Sequence, residues 1–166
     1  MFINRYLLIT SQIETINGST IDPYDVAMDR LKLGKWAIYQ NTFFKDKIKV
    51  EDEIYIYIGK TNSKNSQYRS SVIASAKIEK IENYNKKNNW FELEKYCIDP
   101  PVKLINLKKI KHFKKPFGFR QNFKNISFIS NIKKSENNTM NWGAYMQGGI
   151  KRLTEKDTTL ITDLSK

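Results

Sequence analysis

Residues Glu53–Ile58 read EIYIYI, a run that alternates strictly between two kinds of side chain. Successive residues of a β-strand point to opposite faces, so the three isoleucines share one face while Tyr55 and Tyr57 share the other. β-Branched and aromatic residues are those that strands favour. The run therefore predicts a strand, and the rest of the chain can be arranged around it.

Several other runs have the composition and bounded length of strands. The predicted strands are Arg5–Thr10, Ser71–Ile81, Trp90–Ile98, Val102–Leu107 and the IKRL run that follows Gly148 and Gly149. The pair Pro100-Pro101 ends the third of these, because proline cannot donate to a β-ladder. The polar segments 62–71 and 83–89 are predicted loops.

Two helices are predicted from their ends. The first starts at Asp22, the N-cap, with Pro23 at the first helical position, and stops at Gly34. The second opens at Thr154, whose spacing to Asp157 is that of a capping box, and continues through Leu164. Many short strands, few helices and no regular strand–helix alternation favour an α+β fold with a strongly bent, barrel-like sheet flanked by short helices.

The length of 166 residues fits one domain, predicted to span 1–166. No apolar run approaches the ~18 residues of a membrane span, and we expect a cytoplasmic protein without membrane contact. Cys97 and His112 are each the only residue of their type, which argues against most metal sites. The Gly59-Lys60-Thr61 run lacks the earlier glycine of a phosphate-binding loop. With no nucleophile–base pair evident, we predict a binding module without cofactors rather than an enzyme.

The charge is strongly uneven. The net charge is +12, and residues 100–166 carry 14 basic and 4 acidic residues, against 15 and 13 before them. No acid occurs between Asp99 and Glu136, and five phenylalanines lie among the lysines of that stretch. Cations with interleaved aromatic rings suit a nucleic-acid groove. The alternative is that these phenylalanines belong to the core and the lysines to a solvated face.

Three segments, in order, resemble the EVE family of the PUA-like superfamily, which is related to YTH domains. They are the strand RYLLITS followed by Trp36 in WAIYQNT, the run IKVEDEIYIYIG, and the tail NWGAYMQGGIKRLTEKDTTLI. The resemblance implies a PUA-like mixed, barrel-like sheet with a concave aromatic pocket. It also implies a reader that holds one flipped, modified base, such as a methylated one, in DNA or RNA. In prokaryotes such readers resemble the recognition part of modification-dependent restriction systems, often fused to or associated with a nuclease or GTPase.

The candidate site residues fall into two groups. For the base pocket they are Trp36, Trp142 and Tyr57 as rings, with Asn41, Thr42 and Ser11 as hydrogen-bonding groups. For phosphate contacts they are chosen on charge density: Lys108, Lys109, Lys111, Lys114, Arg120 and Arg152. Two alternatives remain open: a modified-RNA or single-strand binding module, and a basic protein-interaction domain in which the tryptophans are buried and no base pocket exists.

Overall fold

A computed structural model describes residues 2–85, 100–130, 146 and 149–166. The strands are β1 Arg5–Thr10, β2 Ile13–Glu14, β3 Thr20–Ile21, β4 Lys35–Ile38, β5 Glu53–Ile58, β6 Ser71–Asn83, β7 Lys103–Gly118 and β8 Ile150–Leu153. The helices are α1 Pro23–Leu33, α2 Phe119–Asn122, α3 Ser127–Ser130 and α4 Glu155–Leu164, with 3₁₀ turns at Ser63–Tyr68 and Phe123–Asn125.

Six of these strands form one sheet in the order β4-β7-β6-β5-β1-β8. The pair β1–β5 is parallel and the other pairs are antiparallel. Register shifts interrupt the β6–β7 ladder, and such irregularities bend a strand and increase its twist. The sheet therefore curls into a half-barrel, which confirms the predicted α+β fold with a strongly bent, barrel-like sheet.

The alternation in β5 divides the core into two layers. Ile54, Ile56 and Ile58 lie in the interior cluster of the half-barrel, which α1 also enters through Ala27 and Leu31. Tyr55 and Tyr57 lie in a second cluster, formed with α2 to α4 on the outer face of the sheet. These five side chains are all buried, so β5 is covered on both faces.

Both predicted helices have the ends that the sequence indicates. The Asp22 carboxylate accepts a hydrogen bond from the Tyr24 backbone N–H (3.2 Å), and Gly34 ends α1 with a φ of 66°. A left-handed residue at this position is most readily glycine. At α4, Thr154 and Asp157 form the full capping box. The buried Asp157 carboxylate also accepts from the backbone N–H and the hydroxyl of Ser127, both at 2.8 Å.

The structure differs from the sequence predictions in three places. The strand expected at Val102–Leu107 continues to Gly118, because the lysine run has an apolar or aromatic residue at intervals that pack against the core. The strand β4 was not predicted. The polar segment after Asn62 contains a 3₁₀ turn rather than only loop.

The phenylalanines of the basic stretch are the remaining correction to the sequence interpretation. Phe117 and Phe119 are fully buried, and Phe113, Phe123 and Phe128 pack against the same outer cluster. Phe117 and Phe119 are therefore core residues, and the other three rings are partly buried against that core. The predicted strand Trp90–Ile98 and its Cys97 lie outside the described residues.

Candidate functional site

A cavity of about 400 Å³ opens where the curled sheet brings β4 close to β1. The end of β1 and the segment after it contribute residues from Leu8 to Glu14, and β4 with the following turn contributes residues from Trp36 to Thr42. Arg30 enters from α1, and Gly149 lies just before β8. The volume is within the ~300–1,000 Å³ of small-molecule sites. The topology thus forms one concavity from segments far apart in sequence.

Trp36, Arg30 and Tyr39 form one wall of this cavity. Trp36 is 3% exposed and belongs to the interior cluster. The Arg30 guanidinium carbon lies 5.1 Å from the centroid of the Trp36 ring, and its Nη2 donates to the Tyr39 hydroxyl at 3.3 Å. Arg30 is itself only 8% exposed. The cation is attracted to the aromatic face, so this wall of the cavity carries a positive charge next to the indole ring.

Polar side chains lie around the opening of the cavity. Ser11, Gln12 and Glu14 are exposed, and Thr42 is half-buried. Gly149 has a φ of 81° and its carbonyl accepts from the Ile9 backbone N–H at 2.7 Å. A Cβ at this position would lie 3.0 Å from Thr42 Cγ2, so only glycine allows the two segments to approach this closely. The cavity therefore combines apolar walls with a polar, hydrogen-bonding rim.

Comparison with solved structures identifies this architecture. Human THYN1, in a complex with DNA containing 5-methylcytosine, matches with a TM-score of 0.58 at 12% identity, covering 98% of each chain. The ASCH protein of Zymomonas mobilis matches with a TM-score of 0.56 at 12% identity, covering 98% of this chain and 96% of that one. The N-terminal domain of Staphylothermus marinus McrB matches with 0.51 at 15% identity, covering 98% and 95%.

The chain has the fold of these structures. At these identities the likeness is one of fold, and it confirms the resemblance noted in the sequence. No family model matches the chain, and no curated protein matches it in sequence.

Three of the predicted pocket residues line the same cavity. They are Ser11, Trp36 and Thr42, with Ser11 directly after β1. Asn41 is exposed in the turn between Tyr39 and Thr42 and does not line the cavity. Trp142 lies outside the described residues.

Tyr57 does not line the cavity, which corrects its assignment as a pocket ring. It is on the outer face of β5, and its ring centre lies 5.0 Å from that of Phe119. Burial raises the pKa of Tyr57 to about 12, with a hydrogen bond to Ser70 acting in the opposite direction. The reason is the two-residue period of the strand: Tyr55 and Tyr57 share one face, and that face packs against the C-terminal helices.

Sequence reasoning missed Arg30 and Tyr39. Tyr39 is three residues after Trp36 in the same WAIYQNT run, and once β4 is recognised its proximity to the pocket follows. Arg30 is in the last turn of α1, where a basic residue is ordinarily explained by the helix dipole. Only the packing of α1 against β4 shows that Arg30 also lines the cavity and lies over Trp36.

The six residues predicted to contact phosphates lie on β7, α2 and β8, and none of them lines the cavity. Lys109, Lys111, Lys114 and Arg120 are exposed along β7 and α2. Lys108 forms an ion pair with Glu51, and this hydrogen bond lowers the pKa of the Glu51 carboxyl. The Nη2 group of Arg152 donates to Asn4 Oδ1 at 3.2 Å.

Arg120 lies in a wider basin of about 890 Å³ together with Arg69 and Lys115. None of the thirteen residues that line the basin is acidic. These cations continue the positive surface that begins on β7. Sequence reasoning missed Arg69 because it lies outside the acid-free stretch.

Two further properties concern the described ranges alone. Residues 2–85, 100–130, 146 and 149–166 contain no group of three or more His, Cys, Asp or Glu side chains arranged to hold a metal ion. Within the same ranges, no helix is both long enough and apolar enough to traverse a bilayer.

Proposed function

We propose that this protein is a nucleic-acid-binding module that takes one nucleobase into the cavity between β1 and β4, and that it prefers a modified base such as 5-methylcytosine. The proposal assigns binding and not catalysis. The observation that carries it is the cavity itself: a ligand-sized concavity with one aromatic, cationic wall and a rim of hydroxyl, amide and carboxylate groups.

The groups around the cavity suit a flat heterocycle with polar edges. Leu8, Ile9, Ile13 and Ile38 supply apolar contact, and Tyr39 supplies an accessible aromatic ring. Ser11 and Thr42 at the mouth can donate or accept hydrogen bonds at the base edge. Bases that are read outside the helix are recognised by this combination of stacking and edge contacts.

The likeness to human THYN1 bound to 5-methylcytosine DNA supports a modified base in DNA as the ligand. The likeness to the N-terminal domain of McrB supports the further proposal that this module directs a nuclease or GTPase, in the same chain or in a partner, to modified DNA. In that role the protein is the recognition part of a modification-dependent restriction or defence system.

The free energies of stacking, base extrusion and methyl burial indicate where the affinity and selectivity of such a module come from. Stacking contributes about 1–3 kcal/mol per base, and extruding a paired base costs a few kcal/mol. These two terms roughly cancel, so net affinity must come from phosphate contacts, which the positive surface of β7 and α2 offers. A buried methyl group adds ~0.8 kcal/mol, which corresponds to a few-fold preference. We therefore expect modest selectivity above a salt-sensitive background.

Filling the cavity mouth tests the proposal. Ser11 is exposed and lines the cavity, so Ser11→Trp blocks entry without disturbing the core. Ser63, exposed at the start of a 3₁₀ turn, provides the matched control Ser63→Trp. Fluorescence anisotropy at fixed ionic strength compares duplexes with and without one 5-methylcytosine. We expect the wild type and Ser63→Trp to prefer the modified duplex by a few-fold and Ser11→Trp to show no preference. An unchanged preference in Ser11→Trp would refute the pocket.

RNA and single strands of the same sequence are added to this experiment as further arms. Tighter binding to the RNA arm identifies the ligand as modified RNA, since only RNA presents the 2′-hydroxyl. The burial of Trp36 favours the second candidate function, a basic protein-interaction domain. Absence of salt-sensitive binding to every oligonucleotide would support that candidate against the first.

A further inference from the structure

The loop that follows β4 carries an exposed aromatic ring at the rim of the cavity. Thr42 lines the cavity and touches Gly149, and Phe43 is the next residue. The Phe43 side chain is 62% exposed, although it is next to a segment packed against β8. A large apolar ring is therefore exposed one residue beyond the cavity-lining Thr42.

The loop is held in place while it exposes Phe43. Phe44 has a φ of 59°, which is unusual for a residue with a side chain, and its ring centre lies 6.2 Å from that of Tyr6. Lys103 Nζ donates to the Lys45 carbonyl at 3.1 Å, and Ile48 anchors the end of the loop in the interior cluster. Phe44 is 41% exposed with its ring against Tyr6, and Phe43 is the more exposed of the two phenylalanines. Backbone strain of this kind persists only where the surroundings impose it.

The ammonium group of Lys151 lies near the exposed Phe43 ring. Lys151 Nζ lies 5.9 Å from the centre of the Phe43 ring, and Lys151 is on β8, two residues after the cavity-lining Gly149. Burial lowers the pKa of the Lys151 amine, so it is partly desolvated before any ligand binds. An aromatic ring next to an ammonium group is the pairing that single nucleotides meet in stacking sites, where the ring contacts a base and the cation its phosphate.

We propose that Phe43 occupies the position in the base stack that the everted base leaves, packing against the neighbouring base while Lys151 contacts the adjacent phosphate. This inference rests on the proposed function and adds the residue that stabilises the open duplex. Apolar side chains that insert between base steps act in this way in other DNA-binding proteins. Since stacking is worth about 1–3 kcal/mol per base, removing the ring is expected to weaken binding of the modified duplex by about 5- to 150-fold.

The matched control is Phe2, which is 99% exposed and is not among the residues that line the cavity. The first readout is the affinity of Phe43→Ala, Phe43→Tyr and Phe2→Ala for a duplex with one 5-methylcytosine. We expect a loss in Phe43→Ala only, with Phe43→Tyr near the wild type, because tyrosine keeps the ring.

The second readout is fluorescence. Phe43→Trp and Phe2→Trp each add one indole, and stacking on a base quenches indole emission. We expect the modified duplex to quench Phe43→Trp more than Phe2→Trp or the wild type. Wild-type affinity in Phe43→Ala, or equal quenching in the two tryptophan variants, would overturn the role of Phe43 and leave the proposed function intact. Failure of the wild type to prefer the modified duplex would instead refute the proposed function.

Discussion

Replacing Trp36 with alanine separates two roles of this side chain: support of the half-barrel interior and recognition of a base. Trp36 is buried in the interior cluster, and Arg30 lies over its ring. Truncating a buried tryptophan to alanine costs about 3–5 kcal/mol, and loss of the cation–π contact adds ~0.5–2 kcal/mol. A domain of this size has a total stability of about 5–15 kcal/mol. We therefore expect Trp36→Ala to fold, but with a much smaller margin.

The thermal consequence can be estimated in the same way. At about 2–4 °C per kcal/mol for a chain of this length, the Tm of Trp36→Ala falls by roughly 7–28 °C. Differential scanning calorimetry and urea denaturation measure this change. Phe43→Ala is the control, because its exposed ring leaves the stability within about 0.5 kcal/mol of the wild type. A decrease in Tm below ~2 °C in Trp36→Ala would refute the packing described for this residue.

The binding of Trp36→Ala and of the wild type is then compared at a temperature at which both are folded. Since Trp36 forms one wall of the cavity, Trp36→Ala should lose the preference for the modified duplex and keep the salt-sensitive background affinity. A variant that is destabilised as expected but still distinguishes modified from plain duplex would contradict the assignment of this wall to the base.

Three further predictions concern α4, Tyr57 and the positive surface. Asp157→Ala removes the side-chain acceptor of the Thr154 and Ser127 backbone N–H groups and so half of the α4 capping box, and the free energy of unfolding in urea should fall by at least ~2 kcal/mol; a smaller loss would contradict the buried capping box. The raised pKa of Tyr57, about 12 against an ordinary 10.0, stabilises the fold fully below about pH 10, and this stabilisation is lost as the pH rises toward 12. Tyr57→Phe should therefore lose less stability than the wild type between these pH values, and equal losses would refute the assignment. Each of Lys109→Gln and Lys111→Gln should make the slope of log affinity against log salt less negative by ~0.7–0.9 if the lysine contacts a phosphate; an unchanged slope removes that residue from the interface.

The sequence predicted elements whose signals are local. The alternation of Glu53–Ile58, the cap at Asp22 and the capping box at Thr154 each depend on neighbours within four residues, and all three are present in the structure. The strand β4 escaped prediction because four residues directly after a helix give too short a pattern. Its edge position is fixed only by pairing with β7, which begins at Lys103.

The site was predictable in part for the same reason. The predicted residues Ser11, Trp36 and Thr42 line one cavity, and Trp36 belongs to a resemblance that covers most of the chain. Tyr57 was misplaced because alternation shows which residues share a face but not which face encloses a cavity. Arg30 was missed because its contact with Trp36 depends on how α1 packs, which a helical pattern alone does not determine.

The most direct test of the cavity as a base site is nuclear magnetic resonance of isoleucine methyl groups with a duplex that carries one 5-methylcytosine. Ile13 and Ile38 line the cavity, whereas Ile126 and Ile129 are buried in the outer cluster and serve as internal controls. We predict a nuclear Overhauser effect between the 5-methyl group of the base and the methyl of Ile13 or Ile38, with the control methyls unshifted. Binding of the duplex that leaves the Ile13 and Ile38 signals unchanged would contradict the account.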